Sequence, residues 1–147
     1  MFFDDLPVGF RFETGARTLT ANAIKVFAQE WDAQPFHLDE AAARASPYVG
    51  LIASGFHTIL TAFNLTLEAS DWSQSSMGSP GMETVRWIKP VYAGDTIHVR
   101  AEVVDARASR SKPDRGFVEL QYDTVNQDDV LVASYRATHM LRRRQAV

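Results

Sequence analysis

The sequence predicts an α+β fold in which a long helix lies on one face of an antiparallel sheet. Three observations carry that expectation. The first half of the chain is apolar at helical spacing, the second half alternates with period two, and a Ser/Gly/Pro-rich stretch from Asp71 to Gly81 divides them. A helix with a wide apolar face and a sheet with one apolar face each need a cover, and each can cover the other.

The elements follow in order. Thr20 precedes A-N-A-I-K-V-F-A-Q-E-W and can cap a helix in which Ile24, Phe27 and Trp31 share a face at i, i+3 and i+7. Pro35 cannot continue that helix and pushes Gln34 towards extended backbone, so the helix should stop close to Asp32. An Ala-rich segment, Leu38 to Arg44, reads as a second short helix. From Ser54 onward, S-G-F-H-T-I-L-T-A-F-N-L-T-L-E places apolar residues at Phe56, Ile59, Leu60, Phe63 and Leu67. That is the longer helix, with Ser54 as N-cap, and its wide apolar face marks it as the buried one. After the loop, M-E-T-V-R-W-I-K-P-V reads as a strand that ends at Pro90 and the turn Ala93-Gly94-Asp95. The next strand, T-I-H-V-R-A-E-V-V-D-A-R-A-S, puts Ile97, Val99, Ala101 and Val103 on one face. G-F-V-E-L-Q-Y-D-T-V and L-V-A-S-Y-R-A-T-H-M-L, joined by a turn at Asn126 to Asp129, complete a meander.

Composition narrows the class. At 147 residues the chain has the size of a single domain, 1–147, able to bury a real core. Apolar residues make up 46% and charged residues 22%, the mix of a globular protein. A net charge of −3 offers no concentrated basic face, so no nucleic-acid partner is expected. The basic run Leu141-Arg142-Arg143-Arg144 reads as a solvated tail, with a phosphate contact as the alternative. The absence of cysteine removes disulfides, thiolate nucleophiles and Cys-ligated zinc. M-F-F-D-D-L-P-V-G has acids where a signal peptide would carry Lys or Arg, and no apolar run approaches the ~20 residues of a membrane span. A soluble, cytoplasmic protein with no membrane partner is the expectation.

Two stretches could carry chemistry. W-D-A-Q-P-F-H-L-D-E holds Asp32, His37 and Asp39 around a proline. A tight reversal could turn Asp32 and His37 to one pocket, where a carboxylate and an imidazole divide acid and base work. The same residues also fit a polar turn in which Asp32 caps the next helical stretch. A metal site of His37, Asp39 and His57 is poorly supported, because H-x-D is not a recognised ligand spacing. In S-G-F-H-T, the N–H groups of Gly55 and Phe56 lie at the positive end of the long helix, and Gly55 has no Cβ to keep a ligand away. Fixed donors of that kind suit a developing oxyanion, and an ordinary capped helix start is the alternative. His57, His98 and His139 read as structural. No phosphate-binding glycine loop and no G-x-S-x-G occurs, so Ser54 is a poor triad nucleophile.

Taken together, the motifs resemble the MaoC-like dehydratase family, which includes the R-specific enoyl-CoA hydratases. D-A-Q-P-F-H-L-D is similar to that family's D-x-N-P-x-H-x-D, G-L-I-A-S-G-F-H-T to the start of its central helix, and R-W-I-K-P-V-Y-A-G-D-T-I to its strand ending in P-V-x-x-G-D. The resemblance spans roughly residues 20 to 105, with the motifs in family order. It implies a hotdog fold, a curved antiparallel sheet wrapped around the Ser54–Glu68 helix, and usually a homodimer with active sites near the interface. It implies Asp32 and His37 as the catalytic pair, Gly55 as the oxyanion donor, and Ser54 and Gln34 as further substrate-side positions. Gln34 stands where hydratases usually carry Asn, and Ser54 where several carry His. The implied reaction interconverts a trans-2-enoyl thioester of CoA or acyl carrier protein with its (R)-3-hydroxyacyl thioester, without metal or cofactor. A hotdog thioesterase and a non-catalytic acyl-thioester binding domain are the alternatives. Phe36, Phe56, Ile59 and Trp87 are candidates for an acyl channel, and Arg86, Lys89, Arg110, Lys112 and Arg115 for phosphate contacts.

Overall fold

The computed structural model describes residues 1–144. After a short 3-10 turn at Phe3–Asp5, the chain forms β1 (Arg11–Glu13), β2 (Arg17–Thr18), α1 (Ala21–Trp31), α2 (Pro35–Leu38), α3 (Glu40–Arg44) and α4 (Gly55–Ala69). Four longer strands follow: β3 (Gly81–Trp87), β4 (Thr96–Ala108), β5 (Arg115–Val125) and β6 (Leu131–Arg142). The sheet runs β1-β4-β5-β6-β3, antiparallel throughout, with β2 paired to β4 off that path.

The meander β4-β5-β6 forms where period-two alternation is strongest. Ile97, Val99, Ala101 and Val103 all point inward and are buried. Val99, Ala101 and Val103 meet Val118, Leu120 and Tyr122 of β5 and Ala133, Tyr135 and Ala137 of β6, and Ile59 and Ala62 of α4 close the cluster, whereas Ile97 packs in a second cluster with Leu19, Ile24, Val91 and Val132. Register shifts at Glu83/Arg86, Val103/Asp105 and Thr124/Val125 interrupt the ladders, as bulges do where a sheet bends. The result is the hotdog arrangement, one helix held against a bent sheet.

Several details depart from the sequence reading. In α1 the buried residues are Ile24 and Ala28, whereas Trp31 is 69% exposed. The last turn of the helix projects past the core, and Phe27 instead stacks face to face on His57, with ring centroids 4.6 Å apart. Pro35 does more than end a helix: it opens α2, at a first-turn position where its missing N–H is no loss. Ser54 occupies the N-cap position of α4, but its hydroxyl makes no capping hydrogen bond. The strands β1 and β2 have no counterpart in the sequence reading.

The arginines of the basic run near the C-terminus are exposed, and two of them are paired with acids at the other end of the chain. Arg143 pairs with Asp4 at 3.0 Å and Arg144 with Asp5 at 2.7 Å, while their guanidiniums lie over the rings of Phe3 and Phe2. The two ends of the described chain are thereby clasped together. No helix among the described residues is long and apolar enough to cross a membrane.

Candidate active site

The site starts from the end of α1. Asp32 is its C-cap, Gln34 takes the extended backbone that a following proline requires (φ −99°, ψ 145°), and α2 turns the chain back. That reversal sets His37 Nε2 3.2 Å from Asp32 Oδ2, with side-chain exposures of 5% and 16%. The other ring nitrogen, Nδ1, lies 2.7 Å from the carbonyl oxygen of Ile52. A carbonyl only accepts, so Nδ1 carries a proton and donates it. The tautomer is fixed: neutral His37 presents the Nε2 lone pair beside Asp32, and the imidazolium donates from Nε2 to the carboxylate.

Asp32 is held from three sides. Gln34 Nε2 donates to Oδ1 at 2.6 Å, and His37 stands at Oδ2. Ser54 Oγ is fully buried and has no hydrogen-bond partner of ordinary geometry, yet lies close enough to stabilise the carboxylate. Burial alone would push the Asp32 carboxyl up, but the Ser54 hydroxyl, the Gln34 amide and the His37 imidazole outweigh it. The group is held below the usual carboxylate range.

The start of α4 faces the same space. Its Gly55 and Phe56 N–H groups precede the first intrahelical bond, which Thr58 donates to the Ser54 carbonyl at 3.1 Å, so they have no partner within the helix. A cavity of about 470 Å³ is lined by Asp32, Gln34, His37, Gly55, Phe56 and Trp87, together with Phe36, Tyr48, Ile88 and Lys89 among others. Asp32, Gln34, His37 and Gly55 therefore meet around one space, as the sequence motifs require. Ser54 lies behind it and does not line it.

Other candidates sort clearly. Asp39 caps α3, its carboxylate accepting from Ala42 N at 2.7 Å. His57 is packed on Phe27, and burial holds its imidazole below the ordinary histidine value. His139 is bonded to the Tyr122 hydroxyl at 2.8 Å inside the sheet. Of the five cationic candidates only Lys89 lines the cavity, and Arg115 is paired with its neighbour Asp114 at 2.8 Å. Phe36, Phe56 and Trp87 line it too, while Ile59 belongs to the core. Sequence reasoning missed the Ile52 carbonyl that fixes the imidazole. No residue type signals such a contact, because it depends on the bridge between Ile52 and Tyr92 that positions the backbone.

A bent sheet around one helix, with an acid and an imidazole at the helix start, defines a hotdog protein built like the hydratases and dehydratases. The chain belongs to the MaoC-like dehydratase family: the family profile described as "MaoC like domain" matches residues 7–126. A solved MaoC-like dehydratase from Rhodospirillum rubrum is 40% identical, with a TM-score of 0.92 over 99% of both chains. YdeM of Bacillus subtilis (strain 168), an uncharacterized protein, is 29% identical over 143 residues, covering 97% of this chain and 100% of its own. R-hydratase PhaJ1 from Pseudomonas aeruginosa shares the fold at a TM-score of 0.76 and 22% identity, over 99% of this chain and 92% of its own.

Proposed function

We propose that the protein hydrates trans-2-enoyl thioesters of CoA or acyl carrier protein reversibly to (R)-3-hydroxyacyl thioesters. The observation that carries this reading is the 3.2 Å Asp32–His37 pair facing the free N–H end of α4 across one cavity. The thioester carbonyl accepts from Gly55 N–H, where the helix dipole favours negative charge. A water held between Asp32 and His37 gives its proton to the Asp32 carboxylate as its oxygen bonds to the β-carbon. The π electrons move to the α-carbon and thioester oxygen, and the α-carbon then takes the proton from His37 Nε2. Proton transfer from Asp32 to His37 across their contact restores the site, so the net addition is one water. The depressed Asp32 value keeps the base ionised at neutral pH, and activity is expected to fall as acid protonates it. Lys89, the cationic candidate that lines the cavity, is the residue we assign to the phosphates of the carrier. The R configuration follows the R-hydratase whose fold the chain shares, and the cytoplasm, where such thioesters are met, is the compartment we assign.

The protein acts as a homodimer in this reading. β3 is an edge strand exposed at all seven positions, and Phe56, Leu60, Phe63 and Leu67 form an exposed apolar stripe on α4 beside it. An unpaired edge next to an apolar stripe is a surface that a second copy can cover.

The test follows loss of the conjugated enoyl absorbance. Asp32→Asn and His37→Ala should each lower kcat by about 10²–10⁴ with the fold intact, the usual range for a positioned acid or base. Free thiol appearing instead of a 3-hydroxyacyl thioester would favour the thioesterase, and full activity in both variants would remove the pair from the mechanism.

A further inference from the structure

We propose that Tyr48 is a substrate-binding wall of the catalytic cavity, and that Tyr92, which does not line that cavity, is the positioning residue that holds it there. The inference takes its substrate, an acyl thioester, from the hydratase reading above and adds two residues to that reading. Tyr48 lines the same space as Asp32, His37 and Gly55. It stands on the turn 46–50 between α3 and α4, and the backbone of that turn is strained. Val49 has φ 57°, a left-handed conformation that is costly for a β-branched residue. Its side chain is 72% exposed, so burial offsets none of that cost. Strain of this kind persists only where the surroundings over-determine the backbone.

Those surroundings converge on Tyr48. Its N–H donates to Ser46 Oγ at 3.2 Å, and that hydroxyl donates in turn to the Ala43 carbonyl of α3 at 2.6 Å. The Tyr48 carbonyl accepts from the Tyr92 hydroxyl at 2.8 Å. Tyr92 is a firm anchor, because its backbone bridges to Ile52 and its N–H donates to Asp95 Oδ2 at 2.8 Å. Gly50 lies so close to the Tyr92 ring that a Cβ there would be 3.3 Å from it. The Tyr48 ring leans on Phe36, with centroids 5.2 Å apart, and Phe36 meets the His37 ring at 4.6 Å. The imidazole does not depend on Tyr48: Phe36 packs against the core, and the Ile52 carbonyl holds Nδ1. Tyr48 therefore acts on what fills the cavity, and its loss belongs to substrate binding rather than to the chemical step.

The experiment measures kcat and KM for trans-but-2-enoyl-CoA in the wild type, Tyr48→Ala, Tyr92→Phe and the double variant. Tyr48→Ala should raise KM about tenfold, the loss of one aromatic contact, with kcat nearly unchanged. Tyr92→Phe removes a single hydroxyl and should raise KM about three- to tenfold, the worth of one hydrogen bond. Because that hydroxyl acts only through Tyr48, the double variant should be no worse than Tyr48→Ala alone. Ser46→Ala frees the other end of the turn and should move KM the same way. An unchanged KM in Tyr92→Phe, a double variant that multiplies the two single effects, or a loss confined to kcat would each overturn the proposal. A wild type that turns over no enoyl thioester fails the hydratase reading separately. Kd values for butanoyl-CoA in the same proteins then carry the test, with the same pattern expected, and a wild type that does not bind it overturns the proposal as well. Melting curves identify a variant that does not fold, and the remaining one of Tyr92→Phe and Ser46→Ala then decides.

Discussion

Gly55 shows how much of the site hangs on single atoms. A Cβ there would sit between 2.4 and 2.7 Å from the Trp87 indole, so Gly55→Ala has to displace the ring. Because that ring is half exposed, the melting temperature should change little, whereas activity should drop by roughly tenfold or more, as small displacements in a site do. Unchanged activity in Gly55→Ala would show that neither the close approach to the helix start nor the ring position matters. At this scale the sequence was informative about identity and silent about geometry. Asp32, His37 and the proline between them were legible as a candidate pair, whereas the capping role of Asp39 shows only in the structure. Gln34 was not understood until its amide was seen to hold Asp32 Oδ1. Ser54 was legible as an N-cap position, but its hydroxyl turns towards Asp32, a choice made by tertiary packing that local capping rules do not contain.

Among the elements, the long strands were readable because one face of each is buried and the other is not, which writes the period into the residues. The short strands β1 and β2, three and two residues long, carry too few positions to show any period. Nor could the pairing of the basic run with the N-terminal acids be read, since Asp4 and Arg143 are 139 positions apart. The 3-10 turn they anchor is also held by packing: a Cβ at Gly116 of β5 would lie 2.3 Å from the Phe3 ring. Gly116→Ala should therefore eject Phe3 and cost about 1–3 kcal/mol, as overpacking does. In denaturant titrations, adding Phe3→Ala to Gly116→Ala should cost less than Phe3→Ala alone costs the wild type. Purely additive losses would mean the two positions do not compete for space.

For the whole molecule, assembly and acid sensitivity both follow from what is and is not buried. Leu60, 54% exposed at the middle of the α4 stripe, should be covered in the dimer. By light scattering after size exclusion, the wild type is expected as a dimer and Leu60→Glu as a monomer; a monomeric wild type would contradict the proposed interface. Acid should destabilise the fold through His139, whose imidazole burial pulls down to about 4. The unfolded chain takes up that proton near 6.5, so between 6.5 and about 4 it binds more protons than the folded state. Stability then falls as pH is lowered through that window, by roughly 3 kcal/mol at most. Asp32 acts in the same direction at lower pH, since a depressed carboxylate stabilises the fold above its ordinary value and loses that contribution as pH falls through its folded value. Denaturant titrations from pH 7 to 4 should show the slope, and His139→Gln should flatten it; an unchanged slope would place the acid sensitivity elsewhere. The central claim, that the Asp32–His37 pair and the start of α4 add water to an enoyl thioester, is tested most directly by incubating purified protein with trans-but-2-enoyl-CoA. Conversion to (R)-3-hydroxybutanoyl-CoA, lost in Asp32→Asn, is the expected result, and an intact enoyl thioester or released free CoA would contradict it.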